Sequence, residues 1–202
     1  MQRTLIVMLK EPRPGRVKTR LAKGIGSVAA AAWFRRQALD LIKRLRDTRW
    51  TLVLAVSPDK QGLTSRVWPD GLSRVPQGAG DLGARMGRLI RSAPPGPVCV
   101  IGADIPGITP GLIQTAFRAL GRSDAVFGPA HDGGYWLVGL KRARAVPPTL
   151  FNNVRWSSEH ALTDTIATLP GHSVTFIQTL RDVDTVEDLA MTLPRSHASE
   201  GP

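Results

Sequence analysis

Val98-Cys99-Val100-Ile101-Gly102-Ala103-Asp104-Ile105-Pro106 is the stretch that decides the fold. Consecutive apolar residues between Pro97 and Gly102 read as a strand buried on both faces. Such strands belong to parallel sheets covered by helices, because an antiparallel sheet with one wet face alternates apolar and polar residues instead. Open α/β sheets bind their ligands beyond the carboxyl ends of these strands. Asp104 stands at that position, which makes it a candidate metal ligand; its plainer role is to cap the turn before Pro106.

The same rhythm extends in both directions. Leu5-Ile6-Val7-Met8-Leu9 is a first buried strand, followed by a loop rich in Pro, Gly and basic residues over 10–26. From Ser27, the residues Ala30, Phe34, Ala38, Leu41, Ile42 and Leu45 recur at helical spacing, with Arg35, Arg36, Lys43 and Arg46 between them. A strand is expected at 51–56, a helix at 82–90, a helix opened by Thr109 with Pro110 in its first position, and a strand at 124–127. The rhythm then breaks, because Gly128-Pro129-Ala130-His131-Asp132-Gly133-Gly134 runs into the apolar residues 135–140 with no helix between. Two neighbouring strands joined by a loop make the sheet mixed there. A helix at 158–169, a strand at 173–177 and a helix opened by Thr185 complete the pattern. Thr185-Val186-Glu187-Asp188 is close to a capping box, with Asp at the third helical position. The reading is one domain over 1–193 and a disordered tail over 194–202.

A chain of 202 residues with 42% hydrophobic and 21% charged residues builds one substantial core, which excludes extended disorder. The net charge of +11 admits a nucleic-acid or membrane surface, or an enzyme of anionic substrates. The basic residues are scattered and aromatics make up only 5%, so small phosphorylated substrates fit better than a stable nucleic-acid partner. The lone Cys99, inside a buried strand, excludes an intramolecular disulfide and a thiolate metal cluster, and the expected location is cytoplasmic. The first apolar run is followed by Lys10-Glu11-Pro12 rather than a cleavage site, and no run approaches the roughly eighteen residues of a membrane helix.

Lys10-Glu11-Pro12-Arg13-Pro14-Gly15-Arg16-Val17-Lys18-Thr19-Arg20-Leu21 follows the first strand. Its Lys and Arg side chains, with the free backbone around Gly15, suit the oxygens of a polyphosphate, and Arg16, Lys18 and Arg20 lead the candidates. Neither a Walker A order nor a dinucleotide-binding glycine fingerprint is present. Gln77-Gly78-Ala79-Gly80-Asp81-Leu82-Gly83-Ala84-Arg85-Met86 is a second Gly-rich loop. It opens a helix whose free N–H groups suit a base or phosphate, and Asp81 doubles as a plain N-cap. His131-Asp132-Gly133-Gly134-Tyr135-Trp136 lets backbone approach a ligand or simply turns tightly, with His131 a weaker candidate base. Asp182 and Asp184 alternate along an extended segment and so share a face. With Asp104 they form an all-oxygen set suited to Mg²⁺ or Mn²⁺ held together with substrate phosphates.

Taken in order, these motifs, together with Asp182-Val183-Asp184-Thr185-Val186-Glu187-Asp188-Leu189, resemble a bacterial family of glycosyltransferase-like proteins. That family is similar to the 2-phospholactate (phosphoenolpyruvate) guanylyltransferases and, more distantly, to the molybdenum cofactor guanylyltransferases. The resemblance runs over residues 4–193 and implies a Rossmann-like three-layer α/β/α sandwich with a mixed, mostly parallel sheet, the GT-A nucleotide-diphospho-sugar transferase fold. It further implies that Asp104 holds the metal with Asp182 and Asp184. By the same resemblance, Lys10, Gly15, Arg16, Lys18 and Arg20 hold nucleotide phosphates, and Gly80, Asp81 and Gly83 meet the base. The acceptor then lies near Asp132, Gly133, Gly134, Ser157 and Ser158. The first loop departs from the Gly-x-Gly-x-Arg-Met signature of sugar-activating nucleotidyltransferases, being Pro-rich instead.

The leading functional expectation is a Mg²⁺-dependent nucleotidyltransferase, in which an anionic acceptor attacks the α-phosphorus of a nucleoside triphosphate. Lys18, Arg20 and Asp104 would be its catalytic residues. A glycosyltransferase acting on a nucleotide sugar and a hydroxyl acceptor, with Asp132 or His131 as base, is the close rival. A non-catalytic nucleotide or nucleic-acid binding module is the alternative of another class.

Overall fold

A computed structural model of the chain describes residues 2–192. The expected tail at 194–202 lies outside the described residues. The elements run β1 (Thr4–Lys10), α1 (Thr19–Ile25), α2 (Ser27–Leu45), β2 (Thr51–Ser57), α3 (Asp59–Leu63), β3 (Ser73–Pro76) and α4 (Leu82–Ser92). They continue with β4 (Val98–Gly102), α5 (Pro110–Ala119), β5 (Ala125–Pro129), β6 (Tyr135–Leu140), α6 (Ala161–Ala167), β7 (Val174–Phe176) and α7 (Val186–Thr192).

The strands form one 7-stranded sheet in the order β3-β2-β1-β4-β6-β5-β7. β1 pairs in parallel with β2 on one side and β4 on the other, β2 with β3, and β5 with β7. Only β6 runs against its neighbours, β4 and β5. The mixed, mostly parallel sheet expected from the abrupt passage between residues 127 and 135 is therefore present.

Because side chains alternate along a strand, β1 divides its residues between two layers. Leu5, Val7 and Leu9 pack with Ala38, Leu41 and Leu45 of α2 and with Ile113 and Phe117 of α5. Ile6 faces the other way, with Met86, Leu89 and Ile90 of α4, Val100 and Phe127. Each fully buried large apolar side chain contributes about 1.5–3 kcal/mol of transfer free energy, so both helical layers are held mainly by burial. Two helix starts are capped as their sequences indicate. Thr109 accepts from the Leu112 N–H at 3.3 Å ahead of Pro110, and Asp81 accepts from the Ala84 N–H at 2.7 Å. The near-capping box also forms: Asp188 accepts from the Thr185 N–H at 3.0 Å, and Thr185 Oγ1 accepts from the Asp188 N–H at 3.3 Å. Among the described residues no helix is long and apolar enough to cross a membrane.

Four elements depart from the sequence expectation. α1 occupies residues expected to be loop, entered through Lys18 in the left-handed conformation (φ 47, ψ 49) and anchored by the fully buried Leu21. α3 and the short edge strand β3 fill the span between β2 and α4. The helix expected at 158–169 shortens to α6, and Ser157, just before the expected start, takes a positive φ of 58. A fork ties the preceding segment to α6: the backbone N–H, Nε and Nη2 of Arg155 donate to the Asp164 carboxylate at 3.0, 2.8 and 2.8 Å.

Gly139 of β6 is filled tightly from the neighbouring strands, since a Cβ there would stand 2.7 Å from Cys99 Sγ and 2.8 Å from Val126 Cγ1. Gly139→Ala is expected to destabilise the fold by about 1–3 kcal/mol through overpacking, read as a lower urea midpoint at unchanged slope. The Arg155 hydrogen bonds hold the Asp164 carboxyl well below the usual carboxylate range. A carboxyl whose folded pKa is depressed binds fewer protons in the folded state, so its stabilisation is complete above the unfolded value of about 3.9 and is lost as pH falls below it. Asp164→Asn should therefore lower the urea midpoint near neutral pH and approach wild type in strongly acidic solution. An equal gap at both pH values would refute this assignment.

Candidate functional site

The parallel registers of β1 with β2 and with β4 set Met8 beside Ala55 and Gly102, so three loops leave the sheet along one edge. The loop after β1 carries Lys18, and the loop after β4 carries Asp104. The third partner comes from far along the chain. Val183 is fully buried with Leu21 and Ala30, which leaves Asp182 and Asp184 on either side of it, as the alternation of the segment requires.

At the centre is an ion-pair bridge. Lys18 Nζ lies 2.8 Å from Asp104 Oδ2 and 2.7 Å from Asp184 Oδ1, and Arg20 Nη1 lies 2.9 Å from Asp184 Oδ2. The Lys18 side chain is 6% exposed and that of Arg20 67%, so the first cation is enclosed and the second wet. Burial alone would push Lys18 toward losing its proton. The charges and hydrogen bonds of Asp104 and Asp184 outweigh this and hold its pKa above the ordinary value. Asp182 moves the other way for a carboxyl: burial, then the charge of Asp184, push it up, Lys18 opposes, and Asp104 and Asp132 add to the rise.

These groups line a cleft of about 670 Å³, a size that suits a small-molecule ligand. Of the residues assigned to nucleotide binding, Lys10, Arg16, Lys18, Arg20, Gly80 and Asp81 line it. Asp104, Asp182 and Asp184 do so as well, as do Asp132, Gly134, Ser157 and Ser158 from the acceptor group. Gly15, Gly83 and Gly133 are not part of the lining. Gly15 makes a positive-φ turn with open space around it. Gly83 lets α4 start against Phe151 and Trp156, where a Cβ would stand 2.7 and 2.8 Å from side-chain carbons, and Gly133, also at positive φ, packs on the backbone of Glu159. Gly83 and Gly133 thus serve close packing beside the cleft, and Gly15 serves a turn. His131 is exposed and outside the lining, whereas Asp132 is in it and accepts from the Gly134 N–H at 2.9 Å. Asp81 carries out its N-cap role at the rim.

Sequence reading missed several groups. Gln77 is buried and its amide donates to Leu9 O at 3.0 Å and Ala55 O at 2.9 Å, which pins the Gly-rich loop to the ends of β1 and β2. Arg85 braces the same loop through Gly80 O at 2.9 Å and lines the cleft. Its place in the motif after Gly83 was the available signal. Tyr135 and Trp156 also line the cleft; Tyr135 stood in the quoted motif after Gly134, and Trp156 carried no signal.

The aspartates expected to share a metal are not a ready-made ligand cluster. Among the described residues no three His, Cys, Asp or Glu side chains are gathered closely enough to hold an ion. The physical reason is the Lys18 ammonium, which stands between Asp104 and Asp184. The donor chemistry nevertheless fits a hard divalent cation. All donors are carboxylates, and Asp104, Asp132, Asp182 and Asp184 outnumber Lys18 and Arg20; after burial, the neighbouring carboxylate charges add to the rise of Asp182.

In structure the chain is similar to a provisionally named nucleotide-diphospho-sugar transferase from Desulfovibrio desulfuricans G20, with 27% identity and a TM-score of 0.85 over 99% of this chain and 90% of that one. It shares its fold with 2-C-methyl-D-erythritol 4-phosphate cytidylyltransferase from Thermus thermophilus, at 17% identity and a TM-score of 0.54 over 95% and 97% of the two chains. Rv0371c of Mycobacterium tuberculosis H37Rv, solved as a complex with manganese, is similar at 16% identity and a TM-score of 0.54, over 97% of this chain and 100% of that one. No protein of curated function matches the sequence. Residues 40–158 match the family described as uncharacterized protein conserved in bacteria (DUF2064), and the chain belongs to that family.

Proposed function

We propose that the protein is a nucleotidyltransferase dependent on Mg²⁺ or Mn²⁺, moving a nucleoside monophosphate from a nucleoside triphosphate to a small anionic acceptor with release of pyrophosphate. The observation that carries this reading is the meeting, in one cleft, of the cations Lys10, Arg16 and Arg85 with the aspartates around Lys18. The shared fold with a cytidylyltransferase supports it. In this reading Lys10, Arg16, Lys18 and Arg20 grip phosphate oxygens through charge-assisted hydrogen bonds, and the Gly80 and Asp81 rim faces the base. The acceptor oxygen bonds to the α-phosphorus as the bond to the bridging oxygen breaks, and pyrophosphate leaves. Asp132, Gly134, Ser157 and Ser158 orient the acceptor. Asp104, Asp182 and Asp184 would hold the divalent ion, which when bound supplies charge neutralisation at the phosphates. The chain's own contribution is positioning and fixed positive charge, so no protein nucleophile is required.

Glycosyl transfer from a nucleotide sugar is the second reading, favoured by the likeness to the nucleotide-diphospho-sugar transferase. Asp132 is then the base, since it lines the cleft and His131 does not. Incubation with each nucleoside triphosphate, Mg²⁺ and a panel of phosphorylated and carboxylated acceptors separates the two, and the guanylyltransferase resemblance makes GTP the first choice. Pyrophosphate release is the expected result; release of a nucleoside diphosphate from nucleotide sugars, with no pyrophosphate, transfers the assignment to the second reading. Asp104→Ala is expected to lower turnover by about 10²–10³-fold, the scale of losing one preorganised charge contact. Arg16→Ala is expected to raise the nucleotide KM by roughly tenfold with kcat little changed, as for a contact made equally before and during reaction.

A further inference from the structure

We propose that Lys18 is the resident counter-cation of the aspartate cluster, displaced by the divalent ion, so that loading the metal and freeing the ammonium toward an anionic substrate are one event. The inference rests on the metal-dependent reading above and concerns how that site is regulated.

The argument starts from the oxygens of Asp184. Oδ1 is taken by Lys18 at 2.7 Å and Oδ2 by Arg20 at 2.9 Å, so both already face a cation. Lys18 also spans to Asp104 Oδ2 at 2.8 Å, while Arg20 has no second carboxylate among the described residues. A magnesium ion takes oxygen ligands at about 2.0–2.1 Å, and two cations cannot share the space between one pair of carboxylate oxygens. An ion bridging Asp104 and Asp184 therefore enters only as the ammonium leaves. The backbone supports the same assignment. Lys18 is held in the left-handed region, costly for a residue with a Cβ and maintained only where the surroundings over-determine it. Here the ion pairs aim its side chain inward, leaving it 6% exposed.

Without that ammonium, the one ion pair left to Asp104, Asp132, Asp182 and Asp184 among the described residues would be that of the exposed Arg20 with Asp184. Lys18 thus stabilises the metal-free protein and competes with the metal. Once expelled, its flexible four-carbon stem carries the charge into a cleft already lined by Lys10, Arg16 and Arg85. A metal that frees this group strengthens phosphate binding, and by linkage phosphate binding strengthens the metal by the same factor.

The test is direct Mn²⁺ binding to the full chain without nucleotide, free Mn²⁺ being read by electron paramagnetic resonance. Lys18→Met is expected to bind Mn²⁺ at least about tenfold tighter than wild type, and Arg16→Met, which removes a cleft charge that does not touch the aspartates, less than about threefold tighter. Asp104→Asn should weaken binding in the wild-type background. If Lys18→Met binds no tighter than Arg16→Met while Asp104→Asn still weakens binding, the displacement idea falls and the metal site stands. If Asp104→Asn has no effect on Mn²⁺ binding, the metal reading falls and takes the displacement with it. A second measurement does not depend on the variant folding. In wild type labelled with ¹⁵N-lysine, the Lys18 ammonium resonance should move to a solvent-exchanged position as Mg²⁺ saturates, and a resonance unchanged at saturation overturns the proposal.

Discussion

β1 is hydrogen-bonded in parallel along both edges, and the meeting of the basic loop with Asp104 in the cleft follows from that. Parallel neighbours require crossovers, so β1, β2 and β4 all point their carboxyl ends at the same edge and deliver their loops there together. A slip of one residue would exchange Leu5, Val7 and Leu9 with Ile6 and Met8 between the two helical layers, so burial fixes the register. The register in turn sets Met8 beside Gly102, and so sets how far the basic loop stands from Asp104. Core packing and the charge bridge are thus consecutive links in one chain of causes.

The fold was legible where burial was strong. Uninterrupted apolar runs announced β1, β2, β4 and β6, and a helical spacing of apolar residues announced α2, because a strand or helix face that is wholly covered leaves a pattern little else produces. β3 left no such trace: its four residues are only partly covered, it forms the edge of the sheet, and it ends in Pro76, which is tolerated there because an edge position needs no second donor. α1 was hidden for another reason. Its composition continues that of the basic loop, and only Leu21 among its residues is buried, so neither periodicity nor polarity marks where the loop ends.

The site was legible residue by residue but not in its partnerships. Asp104, Asp182 and Asp184 were marked by position after a buried strand and by alternation, both local signals. The Lys18 bridge joins positions 86 and 166 residues apart, and nothing in a loop of Lys and Arg says which cation turns inward. The glycines failed for a related reason. A Gly-rich loop announces close approach of backbone without saying to what, and at Gly83 and Gly133 the approaching group is Phe151, Trp156 or the Glu159 backbone rather than a ligand. Sequence reports the need for space more readily than the identity of what fills it.

The charge of the chain takes on a definite sense at this edge. Lys10 and Arg16 line the cleft without an ion pair among the described residues, and Arg85 spends only its Nε on Gly80 O, so the rim offers unpaired positive charge. The floor is the opposite, with carboxylates in excess of the cations that touch them. A polyanion drawn to such a rim meets repulsion at the floor unless a cation travels with it or waits there. A simple anion-binding pocket has no use for the acidic floor, and a simple cation site has no use for the basic rim. The two together favour a ligand that is itself a cation and a polyphosphate combined, which is why the proposed substrate is a metal nucleotide rather than either component alone.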